Sequence, residues 1–421
     1  NYYQAYNNLG SILIRIKKTY DAINILEKAI KIKPNYIEAL TNLGVAYLEI
    51  KKYENSLYYL NKALAVDASY VKAISQKLFI MRKICDWREE NLLKTNLKLI
   101  NESKIEITPW QLLSLDDDPK IELIRAKKYG QQFGFEDFNF IYNNSKIKLA
   151  YFTSDFYEHA GMINMEGIFK YHDKKKFEIY AFDYGYFHDD KTHQRIKKYF
   201  DHYFYINQIN DEEVIKIIKE NKIDIIIHRN GYSQNSRNSL FGKKIAPLQL
   251  SFLGYPGTMG VKFIDYIIAD KEVIPQKNKK FFSEKIIYLP NTYYPTNNER
   301  KISAKNYNKT DLKISKDAFV FGCFNNSYKI SSSEFSIWMR LLAKIDNSYL
   351  VLLVNDEITK KNLIKEILKF NQDPKRIKFL KFVSNDEHLA RHQLLDLYLD
   401  TFNYNGHTSS VDSLYAGVPV V

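Results

Sequence analysis

The 421-residue chain carries 62 Lys and Arg against 49 Asp and Glu, a formal charge of +13, with 45% hydrophobic and 26% charged residues. That balance is globular, with material for about two to four domains, and no apolar run reaches the roughly 18 residues a membrane helix needs. Cys85 and Cys323 are the only cysteines, too few for a zinc pattern or a disulfide framework, which fits a reducing, cytoplasmic setting. The lysines are spread along helices among Glu and Asp rather than gathered, so the charge is read as compositional bias and no nucleic-acid surface is expected.

The N-terminal part is a repeat. Asn8-Leu9-Gly10 returns as Asn42-Leu43-Gly44, 34 residues on, and the same shift carries Ala5 to Ala39, Ala29 to Ala63, Tyr36 to Tyr70 and Ala39 to Ala73. Small residues at fixed spacing let paired helices approach, and Pro34-Asn35 breaks the chain between one pair and the next. The period and its Asn-Leu-Gly, aromatic and Lys-Ala positions resemble tetratricopeptide repeats, stacks that hold extended polypeptide in a concave groove. A third unit is degenerate, with Gln76-Lys77-Leu78 where Asn-Leu-Gly is due, although Trp87 keeps its place 34 residues after Tyr53. Opening inside a repeat at Asn1 and closing on an apolar run at Val421, the chain is expected to be cut short at both ends.

Residues 88–145 read as a helical linker. Its acidic run Asp116-Asp117-Asp118 is taken as a turn with Asp118 capping a helix that starts at Pro119, in preference to a metal site. From Lys146 the pattern changes to short apolar runs: Ile147–Thr153, Phe177–Asp183, Ile223–His228, Pro247–Leu253, Phe263–Ala269 and Lys285–Leu289. Helical segments such as Asp211–Asn221 lie between them, which predicts a parallel, doubly wound sheet. Ligands of such sheets sit past the carboxyl ends of the strands. There stand Ser154-Asp155 with His159, then His228-Arg229-Asn230-Gly231-Tyr232, then Leu253-Gly254-Tyr255-Pro256-Gly257-Thr258. His159, in a loop, suits proton handling or orientation of a hydroxyl.

A second alternating set follows a polar connection at 295–308: Ala318–Phe324, Tyr349–Val354, Ile377–Leu380, Leu395–Asp400 and Val418–Val421, with helices Ser332–Lys344 and Glu357–Phe370. Two such lobes in tandem imply a cleft. Lys329 follows the first strand of this lobe and suits the neutralisation of a diphosphate. His388 and Arg391 fall on one helix face. The run from Asp400 through Asn405-Gly406-His407-Thr408-Ser409-Ser410 to Asp412 is a strand, a polar loop and then a helix read from about Ser413, an arrangement that favours phosphate.

Taken together, these motifs resemble the protein O-GlcNAc transferases over nearly the whole chain. The shared elements are Cys85-Asp86-Trp87, Leu113-Ser114-Leu115 with the Asp run, Ser154-Asp155-Phe156 with His159, Asn230-Gly231-Tyr232, Leu253–Thr258, Tyr328-Lys329-Ile330 and Asn405–Asp412. The resemblance implies a tetratricopeptide-repeat solenoid (1–87), the linker, and an α/β GT-B fold of two Rossmann-like lobes (146–312 and 313–421). It implies UDP-GlcNAc as donor, protein or peptide acceptors, inverting chemistry and no metal or other cofactor. Lys329 would meet the diphosphate, with His407, Thr408 and Ser409 around the phosphates, Asp412 on the ribose, and His388 and Arg391 beside the base. His159 would lie near the acceptor, with His228, Tyr255, Pro256 and Thr258 along the cleft. Asn326 stands where the family often has Gln, and SPINDLY-type O-fucosyltransferases, which use GDP-fucose, share that Asn. Asn385 replaces a Lys common beside the base, and Ile163 replaces a second His. The Asn-Gly-His-Thr loop sides with the GlcNAc enzymes. The remaining alternatives are O-fucosyl transfer, a related protein glycosyl transfer, and a non-catalytic repeat scaffold.

Overall fold

The structure, a computed structural model, describes residues 2–136, 138, 140–233 and 235–421. The chain divides into two compact units. One comprises Asn1–Ile107, Gln111–Asp117 and Ser303–Val421, the other Thr108–Trp110 and Asp118–Ile302.

The repeats form α1 (Tyr2–Arg15), α2 (Thr19–Ile32), α3 (Ile37–Glu49), α4 (Tyr53–Val66) and α5 (Val71–Lys83). Gly10 and Gly44 are glycines because a Cβ would stand 2.5 Å from Leu26 Cγ and 2.7 Å from Leu60 Cγ, so each lets its helix close on the next. Lys17, Lys51 and Cys85 all take left-handed φ, at 60°, 59° and 50°. Their 34-residue spacing shows that the third unit keeps the turn geometry of the first two despite its divergent sequence. What changes is the partner. At the C-terminal end of α5 the Lys83 carbonyl accepts from Ser327 Oγ at 2.5 Å, and the Ile84 carbonyl from Asn362 Nδ2 at 2.9 Å. These are the carbonyls that the end of a helix leaves unsatisfied. Trp87 lies 5.3 Å from Phe335, ring to ring, and Cys85 and Cys323 share the same buried cluster. The third repeat is therefore built into the C-terminal α/β region.

The helical linker divides. α6 (Leu93–Glu102) stays with the repeats, burying Leu97 and Ile100 against Val71, Ile74 and Leu78. α7 (Pro119–Gly130) belongs to the other unit, with Asp118 accepting from the Lys120 and Ile121 amides and Pro119 in the first turn, as expected. It packs tightly, since a Cβ at Gly260 (φ 65°) would meet Ala126 and the Lys127 amide. The two units thus regroup the sequence division into 1–87, 88–145, 146–312 and 313–421. The boundary between α/β regions falls at 302/303 because Ser303 N bonds to Asp386 O and Lys305 to Glu387.

In the second unit β1 (Ile147–Thr153), α8 (Ala160–Lys170), β2 (Phe177–Asp183), α9 (Lys191–Lys197), β3 (His202–Tyr205), α10 (Asp211–Glu220), β4 (Ile225–His228), α11 (Asn238–Gly242), β5 (Leu248–Ser251), β6 (Tyr266–Ala269) and β7 (Lys285–Tyr288) follow in order. The strands form one parallel sheet ordered β3-β2-β1-β4-β5-β6-β7, with Leu149 opposite both Ile179 and Ile225. β3 is absent from the sequence reading. It is a four-residue edge strand with no buried residue, so its His-Tyr-Phe-Tyr shows no apolar run.

The C-terminal region holds β8 (Phe319–Cys323), α12 (Ser332–Lys344), β9 (Ser348–Leu353), α13 (Glu357–Lys369), β10 (Ile377–Leu380), α14 (Asn385–Ala390), β11 (Leu397–Tyr398) and α15 (His407–Tyr415). Its sheet is parallel, ordered β10-β9-β8-β11. The run Val418–Val421, expected as a strand, contributes a single bridge from Val420 to Tyr398. Both orders place the first strand of each lobe inside its sheet, with strands added outward on either side, as in doubly wound nucleotide-binding folds. No helix among the described residues is long and apolar enough to cross a membrane.

Candidate active site

In the C-terminal region the site grows from the ends of β8 and β11. Asp400 gathers the loop that follows it. Its Oδ1 accepts from the Thr401 amide (2.8 Å), the Gly406 amide (2.7 Å) and Asn325 Nδ2 (2.8 Å), and its Oδ2 from Ser410 Oγ (3.0 Å). Asn325, buried directly after β8, also donates to Thr401 Oγ1 (2.9 Å) and accepts from Ser409 Oγ. Glu334 closes the frame: one carboxylate oxygen accepts from the Ser331 amide (2.6 Å), the other from the Phe402 amide. Three side chains thus fix residues 400–410 before any ligand is considered.

Out of this frame comes α15, which begins at His407 and not near Ser413. The polar run His407–Asp412 is helix because Gly406 is pinned as N-cap by Asp400, and a run of His, Thr and Ser hides that from an apolar periodicity. Its N-cap, Gly406, brings no side chain to the first turn of α15, and a helix start of this kind favours an anion. Ser409, expected at phosphate, turns its hydroxyl inward to Asn325 and so contributes position. Lys329 ends a short 3-10 turn, donates to the Asn405 carbonyl at 2.8 Å, and lies 3.9 Å above the Tyr404 ring centre. Burial pulls its pKa down to about 8, against the Asp400 carboxylate. His407 is held to about 4 by burial and then by the charge of Lys329, so near neutral pH Lys329 is charged and His407 is a neutral imidazole. Asn326 is exposed at the start of the turn, and its carbonyl accepts from the Lys329 amide at 2.9 Å.

One turn into α15, Asp412 is buried with Oδ2 3.8 Å from His388 Nε2. His388 Nδ1 accepts from Arg391 Nε at 3.0 Å, which leaves its second nitrogen to carry a proton toward Asp412. Arg391 also donates to the Lys381 carbonyl (2.6 Å) and covers the Phe324 ring at 5.0 Å. Burial lowers its pKa to about 10, and it stays charged. The structure therefore brings His388 on α14, His407, Thr408, Ser409 and Asp412 on α15, and Lys329 and Arg391 on two short 3-10 turns into one region.

The polar edge in the other unit is organised differently. Arg229, after β4, is buried and ion-paired with Asp155, after β1. Asn230 Oδ1 accepts from the Ser154 amide (3.2 Å) and the Tyr184 hydroxyl (2.9 Å), while its Nδ2 donates to Ser154 Oγ (3.0 Å). His159 is the N-cap of α8, its Nδ1 accepting from the Gly161 amide at 3.2 Å. That fixes the proton on Nε2. Burial, and after it the Arg229 charge, holds its pKa to about 4, so His159 is a neutral hydrogen-bond donor there.

Three residues assigned to the cleft have inward partners. His228 is fully buried, bonded through Nε2 to Asn238 Oδ1 (2.8 Å) and stacked on Phe241 at 3.9 Å. Thr258 donates to buried Glu284 at 2.6 Å. Tyr255 is buried edge-on to Tyr232, and Gly231 at φ 51° makes room for it. Pro256 is half-buried. Sequence reasoning missed Asn325, Asp400, Glu334 and Tyr404 on one side and Arg229 on the other. For Asn325 and Asp400 the signal existed, since both stand at strand ends.

The profile of glycosyl transferase family 41 matches residues 119–309 and 296–421, and a tetratricopeptide repeat profile matches 2–69. The chain belongs to glycosyl transferase family 41. It is 27% identical over 370 residues to a probable UDP-N-acetylglucosamine–peptide N-acetylglucosaminyltransferase, SEC, of Arabidopsis thaliana, covering 82% of this chain and 38% of that protein. To the SPINDLY protein of the same plant, which carries the same description, it is 27% identical over 285 residues, 65% of this chain and 30% of the other. The Caenorhabditis elegans UDP-N-acetylglucosamine–peptide N-acetylglucosaminyltransferase is 24% identical over 415 residues, 72% and 35% of the two chains. The chain thus spans well under half the length of these relatives. A mutant O-GlcNAc transferase of Thermobaculum terrenum superposes with a TM-score of 0.78 at 20% identity, covering all of this chain and 82% of the other. That likeness shows the fold, a repeat array followed by a GT-B domain.

Proposed function

We propose that this chain transfers N-acetylglucosamine from UDP-N-acetylglucosamine to Ser or Thr hydroxyls of protein acceptors, with inversion and without a metal. One observation carries the reading: Lys329 is bonded to the Asn405 carbonyl in the same loop frame from which α15 starts at His407, which sets a cation beside the positive end of a helix where departing UDP would need stabilising. Electrostatic stabilisation of that leaving group is the main catalytic term we assign. In this reading Lys329, His407, Thr408 and the amides of α15 meet the diphosphate, with Asn326 at the rim and Ser409 holding the frame. Asp412 takes the ribose hydroxyls, displacing His388 Nε2, while His388 and Arg391 edge the base. His159, with its proton on Nε2, orients the acceptor by donating a hydrogen bond, and its Nδ1 is already committed to Gly161. The repeat groove guides the acceptor polypeptide. Two buried free thiols fit a reducing compartment, and we place the activity in the cytoplasm.

A second reading rests on Asn326, the residue through which the chain resembles SPINDLY-type O-fucosyltransferases. Incubation with an acceptor protein and either UDP-N-acetylglucosamine or GDP-fucose, read by intact mass, separates the two. An N-acetylhexosamine increment on a Ser- or Thr-containing peptide is expected. A deoxyhexose increment would replace the donor, and no increment with either would leave the scaffold reading standing.

A further inference from the structure

We propose that Tyr404 is the positioning residue for Lys329, its ring face holding the ammonium at the start of α15 in readiness for an anionic ligand. The role deepens the diphosphate reading above and rests on it for its purpose, but the interaction itself lies between two side chains of this chain.

A lysine at this point is in an unfavourable place. The N-terminus of a helix is its positive end, and burial further disfavours the charged form. Something has to offset both. The groups facing Lys329 are the Asn405 carbonyl, the Tyr404 ring, the Asp400 carboxylate, the His407 imidazole and the Cys323 thiol. The imidazole and thiol are neutral, the one held down and the other pushed up by burial. Asp400 already accepts from two amides, an asparagine and a serine. That leaves the carbonyl and the ring as the close partners.

The ring is the partner suited to a ligand site. At 3.9 Å from ring centre to Nζ the ammonium faces the negative side of the aromatic quadrupole, well inside the range where the attraction counts. A carboxylate in its place would neutralise Lys329 and repel a diphosphate. An aromatic face steadies the cation and adds no formal charge. Tyr404 is itself steadied: Thr401 Oγ1 donates to its carbonyl at 2.7 Å, and its ring lies 6.2 Å from Tyr328 and 6.4 Å from His407.

The test replaces Tyr404 and follows Lys329 directly, by the carbon-13 NMR titration of reductively methylated lysines, the Lys329 signal being assigned by its loss in Lys329→Met. In Tyr404→Leu the midpoint falls by about half to one pH unit, because the ring favours the charged form. Tyr404→Phe keeps the wild-type midpoint, and donor turnover follows the same order, the loss in the Leu variant growing from pH 6.5 to pH 8.5. Should the Leu variant fold poorly, stepwise fluorinated phenylalanines at position 404 weaken the ring face without changing its shape, and the midpoint falls with each fluorine. An unmoved midpoint in a folded Tyr404→Leu, a Phe variant that behaves like Leu, or a flat fluorine series would each overturn the role. Because the NMR readout needs no turnover, a failed donor assignment and a failed Tyr404 assignment give different results.

Discussion

The two α/β regions each place a cation near the carboxyl ends of parallel strands, Arg229 buried and Lys329 half-buried, and they treat it in opposite ways. Arg229 is matched by Asp155 inside the protein. Lys329 rests on a carbonyl and a ring beside the positive end of a helix, an arrangement that an incoming anion would complete. The first cation belongs to the fold. The second is held in readiness at some electrostatic cost. Strand ends of the same topology can thus be closed structure or open site, and a direct ion pair at the cation marks the closed one.

Removing the two cations should separate these roles. Arg229→Met takes the ion-pair partner from the half-buried Asp155, which keeps its bonds from Ser154 and Asn230, and is expected to lower stability by about 3 kcal/mol in urea denaturation, most of it returning in Arg229→Met/Asp155→Asn. A loss under about 1 kcal/mol would mean that the pair is not the internal tie described. Lys329→Ala should do the reverse, leaving the urea midpoint near wild type while turnover at saturating donor falls about 100-fold or more. Unchanged turnover would take Lys329 out of the mechanism.

The histidines sharpen the same contrast through pH. His228 is buried and neutral, its pKa depressed from 6.5 to about 4 by desolvation. The unfolded chain therefore binds the proton first as pH falls, so stability is unaffected above pH 7 and declines from about pH 6.5 toward pH 4. The loss is about 2 kcal/mol between pH 7 and pH 5 for this residue alone. His159 and His407, depressed likewise, act in the same direction. His228→Phe should flatten part of the slope. A slope identical to wild type would show that His228 is not the buried neutral group described.

Much of this was legible in the chain itself, and the particular failures have physical causes. The 34-residue period gave the repeats because each helix pair repeats one close approach, Gly10 on Leu26 and Gly44 on Leu60. The strands of both lobes were visible as apolar runs, except β3, whose edge position asks for none. The start of α15 was hidden because an N-cap held by a carboxylate six residues earlier leaves no signature in Gly406-His407-Thr408 itself. His228, Tyr255 and Thr258 stood at the expected strand ends, yet their partners Asn238, Tyr232 and Glu284 lie up to 26 residues away. Spacing alone cannot say whether such a side chain turns in or out. Tyr404 was passed over for the same reason: its meaning depends on Lys329, 75 positions earlier in sequence.

The central claim, that the Lys329–α15 frame is built for a uridine diphosphate, is tested most directly by calorimetric titration of the chain with UDP and GDP, in wild type and in Lys329→Ala. UDP should bind at least about ten-fold more tightly than GDP, a difference of about 1.4 kcal/mol, and weaken in the variant. Binding of neither nucleotide, or a preference for GDP, would contradict it.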